Sequence, residues 1–344
     1  MALLFIDSFD HYATANITRK YFAWTNDGGI DATLGRRGGG CAYVHPAYTG
    51  TSYWTLAVPS NNASVIAGFA WYSAGYRGTW VFRGTGNLAQ VNVNINANGG
   101  LSAYRCSAGG ALNDALLGST RTGVVTLTAW YYIEIKVVIH GSTGRVVIHV
   151  NGVNEPTTPD CSSGQNTMPS GSAVVNQLYF YGHDRIDDLY VLDTSGSLNN
   201  DFLGDVRVDA HYPVTPDGTN HAWTPSTGSD NFAMVDEVTP NITDYNSTNT
   251  PDAVDTFHME AFKNSGASIK GLQLSLYHSK EDAGACLVAP VTLTHATEYV
   301  GDNVAPSESS YLYNRTRQDA NPYSGVGWSE SEFNVVEVGY KKTG

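Results

Sequence analysis

The stretch "RIDDLYVLDTSG", residues 185–196, predicts a buried terminal strand of a β domain, because it is a short apolar run closed by turn residues. It also places two aspartates side by side. Successive strand residues face opposite sides of a sheet, so Asp187 is expected to share a face with Leu189, and Asp188 with Tyr190. Carboxylates that hydrolyse a glycoside must converge within about 5–10 Å. The pair is therefore predicted to be structural, accepting hydrogen bonds from backbone N–H groups or an arginine.

The composition favours strands over helices throughout the 344 residues. Charged residues make up 15% of the chain, well below the roughly 25% of ordinary soluble domains. The 36 glycines suit tight turns and the 21 tyrosines suit pleated surfaces. We therefore expect an all-β protein.

Charge argues against a nucleic-acid partner, and the apolar pattern argues against a membrane. A net charge of −13 with only 19 Lys and Arg residues leaves no basic stripe for nucleic acid. The apolar runs are too short to span a bilayer, and "MALLFID" lacks the regions of a signal peptide. We expect the chain to fold in a cytoplasm and not to insert into a membrane.

Alternating patterns predict the strands and the domain boundary. In "AQVNVNINANG" three apolar side chains face one way, while Asn92, Asn94 and Asn96 face the other. "AWYYIEIKVVIHGSTGRVVIHVNG" is typical of a hairpin, and a turn-rich passage ends near residue 203. We predict domains at residues 1–203 and 204–344.

Several segments together carry a family resemblance. The order "FIDSFDHY", "WYYIEIK", "GSTGRVVIHVNG" and "IDDLYVLD" resembles the concanavalin A-like jelly roll, including its laminin-G-like branch. With "NNDFLGDVRV", "WTPSTG" and "NPYSGVGWSESEFN", nearly the whole chain is similar to a group of tailed-bacteriophage virion proteins. The resemblance implies a jelly-roll sandwich followed by a second, smaller β-sandwich domain. In such folds the first and last strands pair, so Ile6 and Leu189 are expected on adjacent strands of the first domain.

The resemblance also implies a setting and partners. The chain is expected to be a non-enzymatic structural protein of a tailed-phage virion, assembled in the host cytoplasm. It would be displayed on the tail, as a fibre, tip or baseplate component, or on the head. Other virion proteins are the expected partners. The chain is also expected to form a symmetric homo-oligomer, with a trimer as the first choice. The alternatives are a glycan-binding host-adhesion module and a capsid decoration (cement) protein.

No catalytic or cofactor-binding residues are predicted. Jelly-roll glycosidases of the laminarinase type carry E-x-D-x-x-E on one strand, and "IEIKV" and "IDDLYVLD" do not match it. The G-x-S-x-G, H-E-x-x-H, P-loop and G-x-G-x-x-G motifs are also missing from their required contexts. The chain is therefore predicted not to be an enzyme.

Two kinds of binding site stay open as alternatives. Aromatic rings and amides suit sugar binding, and the candidate glycan contacts are Trp71, Tyr76, Asn92, Asn94 and Asn96. The oxygen-rich loop "DTSGSLNND" offers calcium ligands, although its spacing matches no EF-hand; the candidates are Asp193, Asn199 and Asp201. The scattered cysteines are expected to be small buried hydrophobes instead of zinc ligands; they are Cys41, Cys106, Cys161 and Cys286.

Overall fold

The chain forms two compact units, Met1–Val208 and Asp209–Gly344. The computed structural model describes residues 2–21, 23–24, 28–44, 52–75, 78–182, 185–308 and 310–344. The first unit extends past the predicted boundary at residue 203 because its own side chains hold the residues that follow. Glu134 accepts a hydrogen bond from the Gly204 amide at 2.8 Å, and Asp188 accepts one from the Val208 amide at 2.8 Å.

The first unit consists of two antiparallel sheets. Its strands are β1 (Leu3–Asp7), β2 (Ala23–Trp24), β3 (Gly28–Asp31), β4 (Cys41–Val44), β5 (Tyr53–Asn62), β6 (Ser64–Tyr72), β7 (Thr79–Gly84), β8 (Leu88–Ile95), β9 (Leu101–Arg105), β10 (Ala115–Thr120), β11 (Trp130–Val138), β12 (Arg145–Val150), β13 (Val153–Asn154), β14 (Thr157–Thr158), β15 (Val175–Tyr181) and β16 (Arg185–Asp193). One helical turn, α1, spans Ile17–Lys20, and short 3-10 turns lie at Thr14–Asn16 and Thr85–Asn87.

Sheet A has the order β13-β12-β11-β6-β16-β4-β3, with β1 also paired to β16, and sheet B has the order β14-β10-β9-β8-β7-β15-β5-β2. The inner faces of the two sheets form one hydrophobic core. At its centre the Trp54 and Phe180 rings stack at 3.9 Å, and Phe69 meets Phe180 edge to face. The predicted all-β jelly-roll sandwich is confirmed, as is the β11–β12 hairpin.

The first and last strands pair as predicted. In the antiparallel register of β1 and β16, Ile6 lies opposite Tyr190 and Asp7 lies opposite Leu189. Since β1 and β16 come from opposite ends of the unit, this pairing closes the sandwich.

The predicted alternation along β16 is wrong at its centre. Asp188 has a φ of +50°, and the pairing of β16 with β6 shifts register between Asp187 and Tyr190. This bulge puts Ile186 and Leu189 on the same, inner face, and leaves Tyr190 on the outer face. The two aspartates therefore do not diverge as a regular strand would require.

The second unit is a smaller β structure built around a five-stranded sheet. Its strands are β17 (Pro213–His221), β18 (Thr224–Pro225), β19 (Asn246–Ser247), β20 (Val254–Met259), β21 (Leu272–His278), β22 (Val288–Thr294), β23 (Thr297–Val300), β24 (Leu312–Gln318) and β25 (Glu337–Lys342), with a helical turn α2 at Glu330–Phe333. Sheet C has the order β17-β20-β25-β22-β23, and β18–β19 and β21–β24 form two-stranded ribbons. The segment "NFAMVDEV" forms a 3-10 turn at Phe232–Met234 followed by loop.

A buried ionic cluster fixes α1 against β1 in the first unit. The Lys20 ammonium lies 2.9 Å from the Asp7 carboxylate, and both side chains have 0% exposure. The Tyr12 and Tyr21 hydroxyls donate to the other Asp7 oxygen at 2.7 and 2.5 Å. His11 Nε2 lies 2.7 Å from Lys20 Nζ, and burial lowers the pKa of His11 to about 3, so its neutral ring accepts this hydrogen bond.

Replacing Lys20 by methionine should destabilise the first unit, because the Asp7 carboxylate would stay buried without its cation. The expected loss is about 3–5 kcal/mol of unfolding free energy, measured by urea unfolding followed by circular dichroism. Arg19→Met, at the exposed neighbouring position, is the matched control and should change stability little. Equal stability of the two variants would contradict a structural role for the Lys20–Asp7 pair.

Candidate functional site

Aromatic side chains and an arginine gather on the outer face of sheet B. The Tyr53 and Tyr179 rings stack at 5.2 Å, and Tyr181 lies 5.3 and 5.8 Å from Tyr53 and Tyr179. The Arg83 guanidinium lies 4.1 Å from the Tyr179 ring centroid and donates to the Tyr181 hydroxyl at 3.0 Å. Tyr179 is buried, whereas Tyr53 and Tyr181 remain partly exposed. These residues form the aromatic subsite.

Three asparagines form a second group on the same face. Asn113 Oδ1 accepts hydrogen bonds from Asn92 Nδ2 and Asn94 Nδ2, each at 2.8 Å. Asn92 Nδ2 also donates to Asn94 Oδ1 at 2.7 Å. Asn92 is buried, Asn94 is half-buried and Asn113 is exposed, so the buried amide orients the two outer ones. We call Asn92, Asn94 and Asn113 the amide subsite.

The strands between the two subsites explain why they share one surface. Inner positions such as Trp80 and Val93 lie in the sandwich core, so the alternate positions Thr79 and Asn94 point outwards. Thr79 pairs with Tyr181 on one side and with Asn94 on the other. It therefore joins the aromatic subsite to the amide subsite across β7.

The predicted glycan contacts divide between the surface and the core. Asn94 and Asn96 lie half-buried on the outer face, and Asn96 donates to Ser102 Oγ at 2.8 Å. Trp71 is 0% exposed inside the sandwich, so its prediction as a sugar contact is wrong. Asn92 is also 0% exposed and acts by orienting Asn94. Tyr76 lies outside the described residues.

Sequence reasoning missed Tyr53, Tyr181, Arg83 and Asn113. The alternation in "NQLYFYG" and "GTWVFRG" already places Tyr181 and Arg83 on the wet faces of their strands. Their meeting depends on β15 lying between β5 and β7 in sheet B, which no local pattern encodes. The order of strands, not the strands themselves, was the missing information.

On the outer face of sheet A, Asp187 and Asp188 converge on Arg36. Asp187 accepts hydrogen bonds from the Arg36 amide at 2.7 Å and the Asp188 amide at 2.7 Å. Asp188 Oδ2 lies 3.7 Å from the Arg36 guanidinium, which also binds Asp205 through two contacts of 2.6 Å. The pair thus keeps its predicted structural role, with the predicted partners, although the predicted divergence of the carboxylates is wrong.

Residues 201–208, the covering segment, lie over this face of sheet A. Glu134, fully buried, accepts from the Tyr190 hydroxyl at 2.5 Å as well as from Gly204. Phe202 stacks on His149 with centroids 3.8 Å apart. The outer face of sheet A is therefore largely occupied by the chain itself.

The structure gives the calcium candidates partners of their own. Asp193 accepts a hydrogen bond from the Ser195 amide at 2.8 Å, and Asp201 pairs with Lys136 at 3.1 Å. Asn199 has a φ of +51°, which suits a turn. Within the described ranges, no group of three or more His, Cys, Asp or Glu side chains is placed to hold a metal ion.

The cysteines are free thiols, and three of them are buried. Burial raises the pKa of Cys41 and of Cys106 to about 12, so neither is a thiolate near neutral pH. In the part of the chain that the structure describes, no helix has the length and apolar character needed to cross a membrane.

Comparison with known proteins finds similarity in structure only. No family model matches the chain, and the curated proteins include no significant match. A Bacillus subtilis protein of unknown function with a galectin-like fold is 9% identical, with a TM-score of 0.35 over 56% of this chain and 96% of that one. A GH131 β-glucanase catalytic domain from Podospora anserina is 12% identical, with a TM-score of 0.32 over 57% and 97%. A sialidase is 9% identical, with a TM-score of 0.33 over 48% of this chain.

The match covers only 16% of the sialidase chain. At these identities and TM-scores, the similarity transfers neither a ligand nor an activity. The prediction that the chain is not an enzyme, which was drawn from missing catalytic motifs, is nevertheless wrong. The matched structures include a sialidase and a glucanase catalytic domain.

Stability of the first unit should fall as pH rises because of Asp187. Burial, and then the neighbouring Asp188 carboxylate, raise the pKa of Asp187 from 3.8 to about 8. The unfolded chain releases this proton near pH 4, whereas the native state keeps it until about pH 8. The Asp187 contribution to the free energy of unfolding therefore decreases across that window. Because the pKa of His11 is lowered to about 3, its contribution increases up to about pH 6.5, so the net decrease is expected between about pH 6.5 and pH 8.

Asp187→Asn should flatten this dependence, measured by urea unfolding from pH 5 to pH 9, even if the variant is less stable throughout. Asp193→Asn, at the end of the same strand, is the control and should keep the parent slope. If the Asp187→Asn variant loses as much stability with rising pH as the parent, Asp187 is not the group responsible.

Proposed function

We propose that the first unit is a carbohydrate-binding module whose ligand lies on the outer face of sheet B. The observation that carries this proposal is that two kinds of side chain lie on the same face of one sheet. They are partly exposed tyrosine rings and asparagine amides held in fixed orientation. Tyr181 and Tyr53 offer flat apolar faces for the C–H face of a sugar. Asn94 and Asn113 offer donors and acceptors for its hydroxyl groups.

Preorganisation supports the proposal. Tyr181 is held by Arg83, whose guanidinium also donates to the Asn87 carbonyl at 3.0 Å and packs on the Tyr179 ring. Asn94 is held through Asn92 and Asn113. Side chains that are already ordered lose little conformational entropy when a ligand binds. The site can therefore bind a weakly hydrophobic, hydroxyl-rich ligand without rearranging.

The setting of such a module is a separate matter. Display on the tail or head of a tailed-phage particle, virion partners and a trimeric state rest on the sequence resemblance alone and stay predictions. A host-surface glycan is the ligand that an adhesion module in that setting would bind.

A glycan array with the full chain tests the proposal, followed by calorimetry on the glycans that bind. Tyr181→Ala should weaken binding at least about tenfold, equivalent to about 1.4 kcal/mol, because it removes an exposed ring from the aromatic subsite.

The matched control is Tyr72→Ala. Tyr72 is a half-buried tyrosine on the outer face of sheet A, packed against Arg185 at 4.6 Å much as Tyr179 packs against Arg83. This variant should bind like the parent. Binding that survives Tyr181→Ala but is lost in Tyr72→Ala would place the ligand elsewhere and contradict the proposal.

A further inference from the structure

Outward-facing side chains lie along one line across sheet B. Tyr53 pairs with Tyr181, Tyr181 with Thr79, and Thr79 with Asn94. The register continues from Asn94 to the next two strands. This polar row consists of Tyr53, Tyr181, Thr79, Asn94, Ser102 and Ser119.

The polar row is long compared with a single sugar. Adjacent strands lie about 4.8 Å apart, so Tyr181 and Asn94, two strands apart, are separated by about 10 Å. The whole row, from Tyr53 to Ser119, extends about 24 Å. One pyranose ring covers roughly one strand interval, so it cannot contact both subsites at once.

The chemistry changes along the polar row. The aromatic subsite, at the β5 and β15 end, provides ring faces. The other end provides the half-buried Asn94 and Ser119. The Ser119 hydroxyl lies 2.6 Å from that of Ser102, which is buried and holds it in place. A ligand that uses both ends must present an apolar face to one and hydroxyls to the other, along an extended chain.

Charge narrows the class of ligand. All residues of the polar row are uncharged. The nearby cation, Arg83, already donates to the Tyr181 hydroxyl, the Asn87 carbonyl and the Asn87 side chain. An acidic sugar would have to displace these contacts to reach the guanidinium. The row therefore suits an uncharged chain.

We infer that the ligand is an extended, uncharged oligosaccharide that lies across the strands and fills the aromatic and amide subsites together. This inference rests on the proposed function and adds the length, direction and charge of the ligand. A chain that occupies both subsites gains the second contact as an intramolecular event, so affinity should rise steeply with length until the row is filled.

Calorimetry with the full chain tests this, using linear gluco-, manno- and galacto-oligosaccharides from mono- to hexasaccharide, and oligogalacturonates as acidic counterparts. At least one uncharged series should gain tenfold or more in affinity between the mono- and the tetrasaccharide. Tyr181→Ala and Asn94→Ala should each weaken tetrasaccharide binding, and their effects should add in the double variant, because the two sites do not touch. For a monosaccharide, at most one of the two variants should have an effect.

The outcomes separate the two proposals. Affinity independent of length, a tetrasaccharide sensitive to only one variant, or a preference for oligogalacturonates would overturn the extended uncharged ligand while leaving sheet B as a sugar site. Binding insensitive to both variants, or no binding in any series, would overturn the carbohydrate-binding function as well. Tyr72→Ala and a thermal melt of each variant show that any loss is local to sheet B.

Discussion

Buried carboxylates on the outer face of sheet A determine which surface of the first unit stays open. A carboxylate removed from water must be neutralised or supplied with donors, or it costs several kcal/mol. Asp187, Asp188 and Glu134 obtain those donors from distant parts of the chain: the Arg36 backbone, the Val208 amide and the Gly204 amide. Satisfying these buried carboxyl groups brings the Arg36 segment and the covering segment onto sheet A.

The consequence is a sandwich with two different outer faces. On sheet A, the covering segment packs apolar side chains such as Val206 against an outer-face cluster that includes Tyr132 and Tyr190, and Asp205 binds Arg36. On sheet B, Tyr53, Tyr181 and Asn94 keep part of their surface in solvent. The charged network occupies the outer face of sheet A, whereas partly exposed rings and amides on sheet B remain available to a ligand.

Local patterns predicted much of the fold, because alternation decides which side of a strand is buried. The Val91, Val93 and Ile95 face and the β11–β12 hairpin follow from such patterns. The pairing of β1 with β16 was expected from the jelly-roll resemblance instead. Alternation could not predict the bulge in β16. The bulge at Asp188 shifts the alternation by one residue without any glycine to signal its positive φ.

The site was only partly predicted for a related reason. Asn94 was found because it belongs to a clear alternating strand. Tyr53, Tyr181 and Asn113 become neighbours of that strand only through the order of sheet B and the loop before β10, which are tertiary facts. Trp71 was misassigned because an aromatic residue on a strand looks the same in sequence whether it faces the core or solvent.

Hydroxyl-radical footprinting of the full chain, with and without a saturating oligosaccharide that binds it, tests most directly whether the ligand lies on sheet B. A ligand bound on sheet B should protect Tyr53 and Tyr181 from oxidation and leave Tyr72 and Trp130 on sheet A unchanged. Protection of Tyr72 or Trp130, with Tyr53 and Tyr181 as reactive as in the free protein, would contradict a ligand site on sheet B.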